Sequence, residues 1–152
     1  MAYVSLDSDQ IKRANKKHKY TKEQVEQLEK CMDPKTGPLF FMKTFMKIQH
    51  PTKGELPFEP YPYQERLIEA YNDHRFSISM LPRQTGKTTC ASGYLIWYAM
   101  FKPDSQILIA AHKYAGASDI MSRVRYAYEM LPSWIKAGVT QYNRNSISFF
   151  IC

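Results

Sequence analysis

No hydrophobic run in this sequence ends in an Asp-Glu pair, no apolar stretch reaches the length of a bilayer crossing, and cysteine occurs only three times. Cys31, Cys90 and Cys152 are far apart, odd in number and without CxxC spacing, which argues against a disulfide framework or a zinc site and fits a reducing compartment. His18, His50, His74 and His112 lack metal-ligand spacing too. The longest apolar stretch, Ala91 to Phe101, is interrupted by Ser92 and Gly93 and is too short to span a membrane. The first twenty residues are polar and basic and do not read as a signal peptide. Acidic residues are the scarce charge: 14 Asp and Glu face 21 Lys and Arg, for a net charge of +7 and a pI near 9.3. Such a balance points to an acidic partner, most commonly nucleic acid. Lys12, Arg13, Lys16, Lys17 and Lys19 crowd beside His18; the run reads as a solvated arm, with DNA contact as the alternative.

The residues present are those of a globular domain, 44% hydrophobic and 23% charged over 152 positions. Leu81-Pro-Arg-Gln-Thr-Gly-Lys-Thr-Thr89 lies between a β-like run, Phe76 to Met80, and an apolar helical run, Cys90 to Phe101. A strand, a tight loop carrying Gly-Lys-Thr and a helix form the phosphate-binding arrangement. Backbone N–H groups at the helix start point toward an anion, and the helix dipole adds partial positive charge there. Gly86 allows close backbone approach, Lys87 can reach the β/γ oxygens of a nucleoside triphosphate, and Thr88 offers a hydroxyl to Mg²⁺. The usual leading glycine is replaced by Leu81, so the bland alternative is a chance lysine at a helix N-terminus; the flanking strand and helix favour the phosphate loop.

Along the chain, residues 1–36 read as a mobile basic arm and a short helix from Thr21 to Cys31, with Thr21 as N-cap and Gln24 at the capping-box position. Residues 37–75 read as a helical lead-in. Within it, Leu39 to Ile48 aligns Phe41, Phe45 and Ile48, with Met42 and Met46 beside them, as a core-packing stripe. Prolines and Gly54 predict extended loop from 51 to 62, and Tyr63 to Asn72 turns helical. Residues 76–152 read as the first part of an α/β core. It comprises the strand at 76–80, the loop, the helix, a doubly buried strand from Gln106 to Ala111, a helix from about Gly116 to Leu131 and a strand from Ser146 to Ile151. The expected fold is a P-loop NTPase with a parallel sheet and flanking helices, preceded by a helical segment.

Pro62-Tyr-Gln64 stands about twenty residues before the loop. A glutamine amide there can pair with the adenine edge while Tyr61 or Tyr63 stacks on the ring; the alternative is a surface glutamine beside a core tyrosine. Arg83, inside the loop, is placed to neutralise charge on a γ-phosphoryl group. The order Phe40-Phe-Met-Lys-Thr-Phe-Met-Lys-Ile-Gln-His-Pro-Thr-Lys-Gly54, Tyr61-Pro-Tyr-Gln64, Arg83-Gln-Thr-Gly-Lys-Thr88 and Ile109-Ala-Ala-His-Lys113 closely resembles the N-terminal ATPase domain of the large terminase subunit of tailed bacteriophages, from about residue 37 to 148. That family replaces the leading-glycine loop with the Arg-Gln-x-Gly-Lys-Thr form. The resemblance implies a motor that packages double-stranded DNA into procapsids by ATP hydrolysis, working in the host cytoplasm as a ring on the portal protein with a small terminase subunit, and without a membrane. It implies that Gln64 recognises adenine beside Tyr63, that Gln84, Thr85, Gly86, Lys87, Thr88 and Thr89 hold ATP, that Thr88 binds Mg²⁺, and that Arg83 and Lys87 act in catalysis.

The chain departs from the family where hydrolysis requires an acidic pair, one carboxylate for Mg²⁺ and one for water. Asp104 and Asp119 lie in a turn and at a helix start and are poor substitutes. The expectation is an incomplete domain, inactive by itself: a split or truncated gene product, or an excised fragment. Two alternatives stand beside it. A superfamily-2-like helicase fragment also uses a glutamine motif before a Gly-Lys-Thr loop, and a non-catalytic nucleotide- or DNA-binding truncation product would need no acidic strand.

Overall fold

The computed structural model describes residues 11–14, 18–50 and 52–150. Its first helix, α1 (Lys22–Met32), begins as the sequence predicts: Thr21 Oγ1 accepts from the Gln24 N–H, and Gln24 Oε1 accepts from the Thr21 N–H. This reciprocal box satisfies two donors that a helix start otherwise leaves open. Helix α2 (Gly37–Phe45) buries Phe41, Met42 and Phe45. It ends sooner than the stripe predicts, because Met46 turns extended and Ile48 enters a strand.

The segment expected as open loop closes into a hairpin, β1 (Lys47–His50) against β2 (Gly54–Pro57), antiparallel with His50 opposite Gly54. Gly54 turns the chain at φ 72° with nothing within 4 Å of where a Cβ would stand, a conformation open to glycine. Phe58, buried just beyond β2, donates its N–H to the Met46 carbonyl at 2.9 Å and pins the hairpin to the core.

Helix α3 (Pro62–Asp73) buries Gln64, Leu67 and Ile68. Helix α4 (Lys87–Phe101) is the central strut, burying Cys90, Ser92, Gly93, Ile96, Trp97 and Met100. Met42 and Met46 close over Gly93, where a Cβ would stand 2.6 Å and 2.5 Å from their side chains. Fully buried Trp97 donates its indole N–H to the Cys31 carbonyl at 2.8 Å, tying α4 to the end of α1.

Helix α5 (Tyr114–Glu129) packs on α4 and starts from Lys113, a little earlier than the sequence predicts. Beyond it, β3 (Gly138–Tyr142), which the sequence reading missed, pairs antiparallel with β4 (Ile147–Phe150). The strand predicted at 146–151 is thus present from Ile147 to Phe150, with an antiparallel neighbour.

Two predicted strands have no ladder. Residues 76–80 and 106–111 lie outside every strand assigned among the described residues. Phe76, Ile78 and Met80 are 83%, 96% and 94% exposed, and Leu108 is 91% exposed. The alternation Phe76-Ser-Ile-Ser-Met80 has the period of a half-buried strand, and here it meets no partner to bury that face. The two described sheets are both two-stranded and antiparallel.

The mobile-arm expectation also needs correction at its inner end. Arg13 forms a parallel bridge with Val139, Val139 N–H donates to the Lys12 carbonyl at 2.8 Å, and Ile11 is buried. Gly138 permits this approach, since a Cβ there would stand 2.7 Å from the Ala14 backbone. A single apolar residue in a basic run carries no periodic signal, so the pairing is invisible in sequence. Lys16 and Lys17 of the basic cluster lie outside the described residues.

Candidate functional site

The 81–86 loop is a compact turn that enters α4 through two left-handed residues, Gln84 at φ 63° and Gly86 at φ 73°. Gly86 is the N-cap of α4, and its carbonyl accepts from the Cys90 N–H at 3.0 Å. A Cβ on Gly86 would stand 2.5 Å from Gln64 Nε2. Conformation and space therefore both require glycine here. Thr85 closes the loop by donating its hydroxyl to the Pro82 carbonyl at 3.0 Å.

The head of α3 holds this loop from the side. The Tyr63 hydroxyl and Gln64 Nε2 both donate to the Thr85 carbonyl, at 2.9 Å and 3.0 Å. Gln64 Oε1 accepts from the Tyr61 N–H at 3.0 Å, so one buried amide caps its own helix and grips the loop. That leaves the amide one N–H and one lone pair for a further partner. Tyr61 and Tyr63 stack at 5.8 Å with an interplanar angle of 6°, and Tyr61 is exposed.

Lys87, the first residue of α4, folds its ammonium back over the loop and donates to the carbonyls of Pro82 at 2.9 Å and Leu81 at 3.3 Å. An ammonium has three donors, and the start of α4 contributes its dipole beside it. No acidic residue stands in the first turn of α4 to oppose that field. The site concentrates positive potential on a loop shaped by backbone, an arrangement suited to polyanion oxygens.

Of the residues singled out from sequence, Tyr63, Gln64, Thr85, Gly86 and Lys87 are brought into one contact set. Arg83 and Gln84 are exposed on the loop, and Thr88 and Thr89 are half-buried on the first turn of α4; none of these four takes part in the contacts joining α3 to the loop. Sequence reasoning missed the role of the Leu81 and Pro82 carbonyls, which no residue pattern encodes. Burial pushes the thiol of Cys90, in the same helix, up to about 11, a direction that disfavours the reactive thiolate. Among the described residues no group of three or more His, Cys, Asp and Glu side chains could hold a metal ion, and no helix is long and apolar enough to cross a membrane.

Residues 78–151 match the family described as terminase large subunit, T4likevirus-type, N-terminal. The matched residues contain the loop, α4, α5, β3 and β4, and run past 148, where the resemblance was expected to end. Tyr63 and Gln64 stand outside the match and reach it through the Thr85 carbonyl.

Proposed function

We propose, from the premise that residues 78–151 belong to the terminase large-subunit family, that this chain carries the nucleotide-binding face of a phage motor that packages double-stranded DNA. The observation that carries the reading is the 81–88 loop itself: a left-handed Gly86 at the head of α4, gripped by Gln64 and crossed by the Lys87 ammonium. In this reading ATP is the ligand. Lys87 exchanges its loop carbonyls for β/γ oxygens, a charge-assisted and therefore stronger pairing. Gln84, Thr85 and Gly86 present backbone to the phosphates, with Thr88 and Thr89 on the following turn. Tyr61 and Tyr63 form a platform beside the loop, and the unused N–H and lone pair of Gln64 face adenine.

Mg²⁺, held at Thr88, would supply charge neutralisation between phosphate oxygens. The single hydroxyl of Thr88 fits one position of such an ion and leaves the rest to phosphates and water. Arg83, exposed on the loop, is free to swing toward charge developing on the γ-phosphoryl group. The parallel sheet of a P-loop NTPase belongs to the same proposal, with 76–80 and 106–111 as its strands. Double-stranded DNA, a portal protein, a small terminase subunit and further copies in a ring are the partners of this motor, in the host cytoplasm.

A non-catalytic nucleotide-binding role is the second reading, and the missing Asp-Glu run favours it for these 152 residues. Titration with a fluorescent ATP analogue and a phosphate-release assay test both. Lys87→Ala is expected to weaken binding at least tenfold, with negligible turnover in the parent chain. Unchanged affinity in a folded variant would remove the phosphate-loop assignment, and turnover lost in Lys87→Ala would remove the non-catalytic reading.

A further inference from the structure

A second polar site lies on the flank of α4, apart from the loop that heads it. A cleft of about 450 Å³ opens between β1, α4 and α5, and no residue from 81 to 88 lines it. Ser92 of α4, 1% exposed, lines it, as do Thr89 one turn earlier and Arg125 of α5 across the gap. The Ser92 hydroxyl and the Arg125 Nε–H are buried and have no hydrogen-bond partner among the described residues. A buried polar group without a partner costs about 1–3 kcal/mol, and more when the group is charged. Two such groups lining one cleft mark a place where a ligand gains what the protein lacks.

The chemistry of the pair selects the ligand. Arg125 Nε can only donate, and its guanidinium is always charged. The ligand must therefore accept, and an anion is favoured. The carboxylates lining the cleft are already engaged: Asp119 pairs with Arg123 at 3.2 Å, and Glu129 accepts from the Tyr142 hydroxyl. Burial, and then the bond to Glu129, hold that phenol protonated. Lys47 meanwhile faces Glu55 at 3.2 Å. Arg125 is left with no ion pair among the described residues. Donors reach the cleft from two helices, Ser92 and Thr89 on α4 and Arg125 on α5, which suits an acceptor carrying oxygens on several sides, as a tetrahedral oxyanion does. We infer that this cleft binds a phosphate-type oxyanion through Arg125 and Ser92, as a site separate from the 81–88 loop.

Free phosphate and a DNA phosphodiester share this chemistry, and the test separates them. The ¹⁵N-labelled 152-residue chain is titrated with inorganic phosphate at constant ionic strength, following the arginine Nε–H resonances; the signal absent from Arg125→Lys identifies Arg125. That signal is expected to shift saturably, to do so equally in Lys87→Ala, and to need at least several-fold more phosphate in Ser92→Ala. A short DNA duplex that moves the same signal assigns the phosphodiester as the source, and one that leaves it still assigns free phosphate. An Arg125 signal that stays fixed, or drifts linearly without saturating, overturns the site. A shift abolished by Lys87→Ala would place the phosphate on the loop and equally overturn it. Thermal melting of each variant without phosphate separates lost binding from lost fold, since Ser92→Ala removes an unpaired hydroxyl and is expected to melt no lower than the parent.

Discussion

Gln64 shows how one side chain can hold a site together while keeping hydrogen-bonding capacity for a ligand. Its oxygen caps α3 and its nitrogen grips Thr85, both from a buried position. Gln64→Ala removes both bonds and leaves the Thr85 carbonyl with Tyr63 alone, an expected loss of about 1–3 kcal/mol in chemical denaturation. The same variant is expected to bind ATP and GTP more weakly and with a narrower ratio between them, measured by competition against a fluorescent analogue. A ratio that survives intact confines the glutamine to its structural role. Arg83 sits in the opposite circumstances, exposed and outside the loop's internal bonds. Under the proposed function, Arg83→Ala is expected to keep ATP binding and lose most hydrolysis in the assembled motor, as a group acting only on transition-state charge would. The cysteines carry a pH signature. Burial pushes Cys31 up to about 12 and Cys90 up to about 11 from an ordinary 9.0. Above pH 9 the unfolded chain loses these protons while the folded chain keeps them, so stability falls as pH rises from 9 toward 12. Denaturant midpoints measured across that window, for the parent and for Cys31→Ala, check the sign.

At the scale of elements, α4 serves two structures at once. Its apolar faces carry the core around Trp97, while its first residue and its N-cap belong to the candidate site. Gly86 couples the two. Gly86→Ala forces a left-handed alanine against the Gln64 amide, and strain of this kind costs about 1–3 kcal/mol. Because the strain falls on the loop, analogue affinity is expected to drop by more than the melting temperature alone suggests; titration at 10 °C, where the variant stays folded, isolates that loss. The β1–β2 hairpin was legible only in part. Pro51, Gly54 and Pro57 break the helical pattern and predict extended loop, but such breakers do not say whether the flanking arms pair. The pairing is decided by Phe58 finding the Met46 carbonyl across the core.

Across the whole molecule, the unresolved tension is between buried helices and unburied strands. The helices close a core around Trp97 and Tyr128, yet Phe76, Ile78 and Met80 stand exposed in alternate positions of a segment with no ladder. Such a segment is a template for pairing with another chain. The chain is expected to self-associate with rising concentration in sedimentation velocity, and the double variant Ile78→Lys, Met80→Lys to remain monomeric. Parent and variant sedimenting alike as monomers would show that this segment has no such consequence.

Local chemistry in the sequence by itself determined the elements whose signals are local. The Thr21–Gln24 capping box, the apolar run of α4, and Gly-Lys-Thr at the head of a helix are all signals carried by neighbouring residues of the chain. Tertiary structure alone decided what depends on distant partners. The bridge between Arg13 and Val139, the Gln64 amide reaching Thr85 and the orphaned pair of Ser92 and Arg125 each join residues too far apart for any period to report. The strands at 76–80 and 106–111 mark the boundary between the two cases. The alternation of the first and the continuous apolar run of the second are written in the residues, but a strand exists only when a neighbour takes its backbone hydrogen bonds.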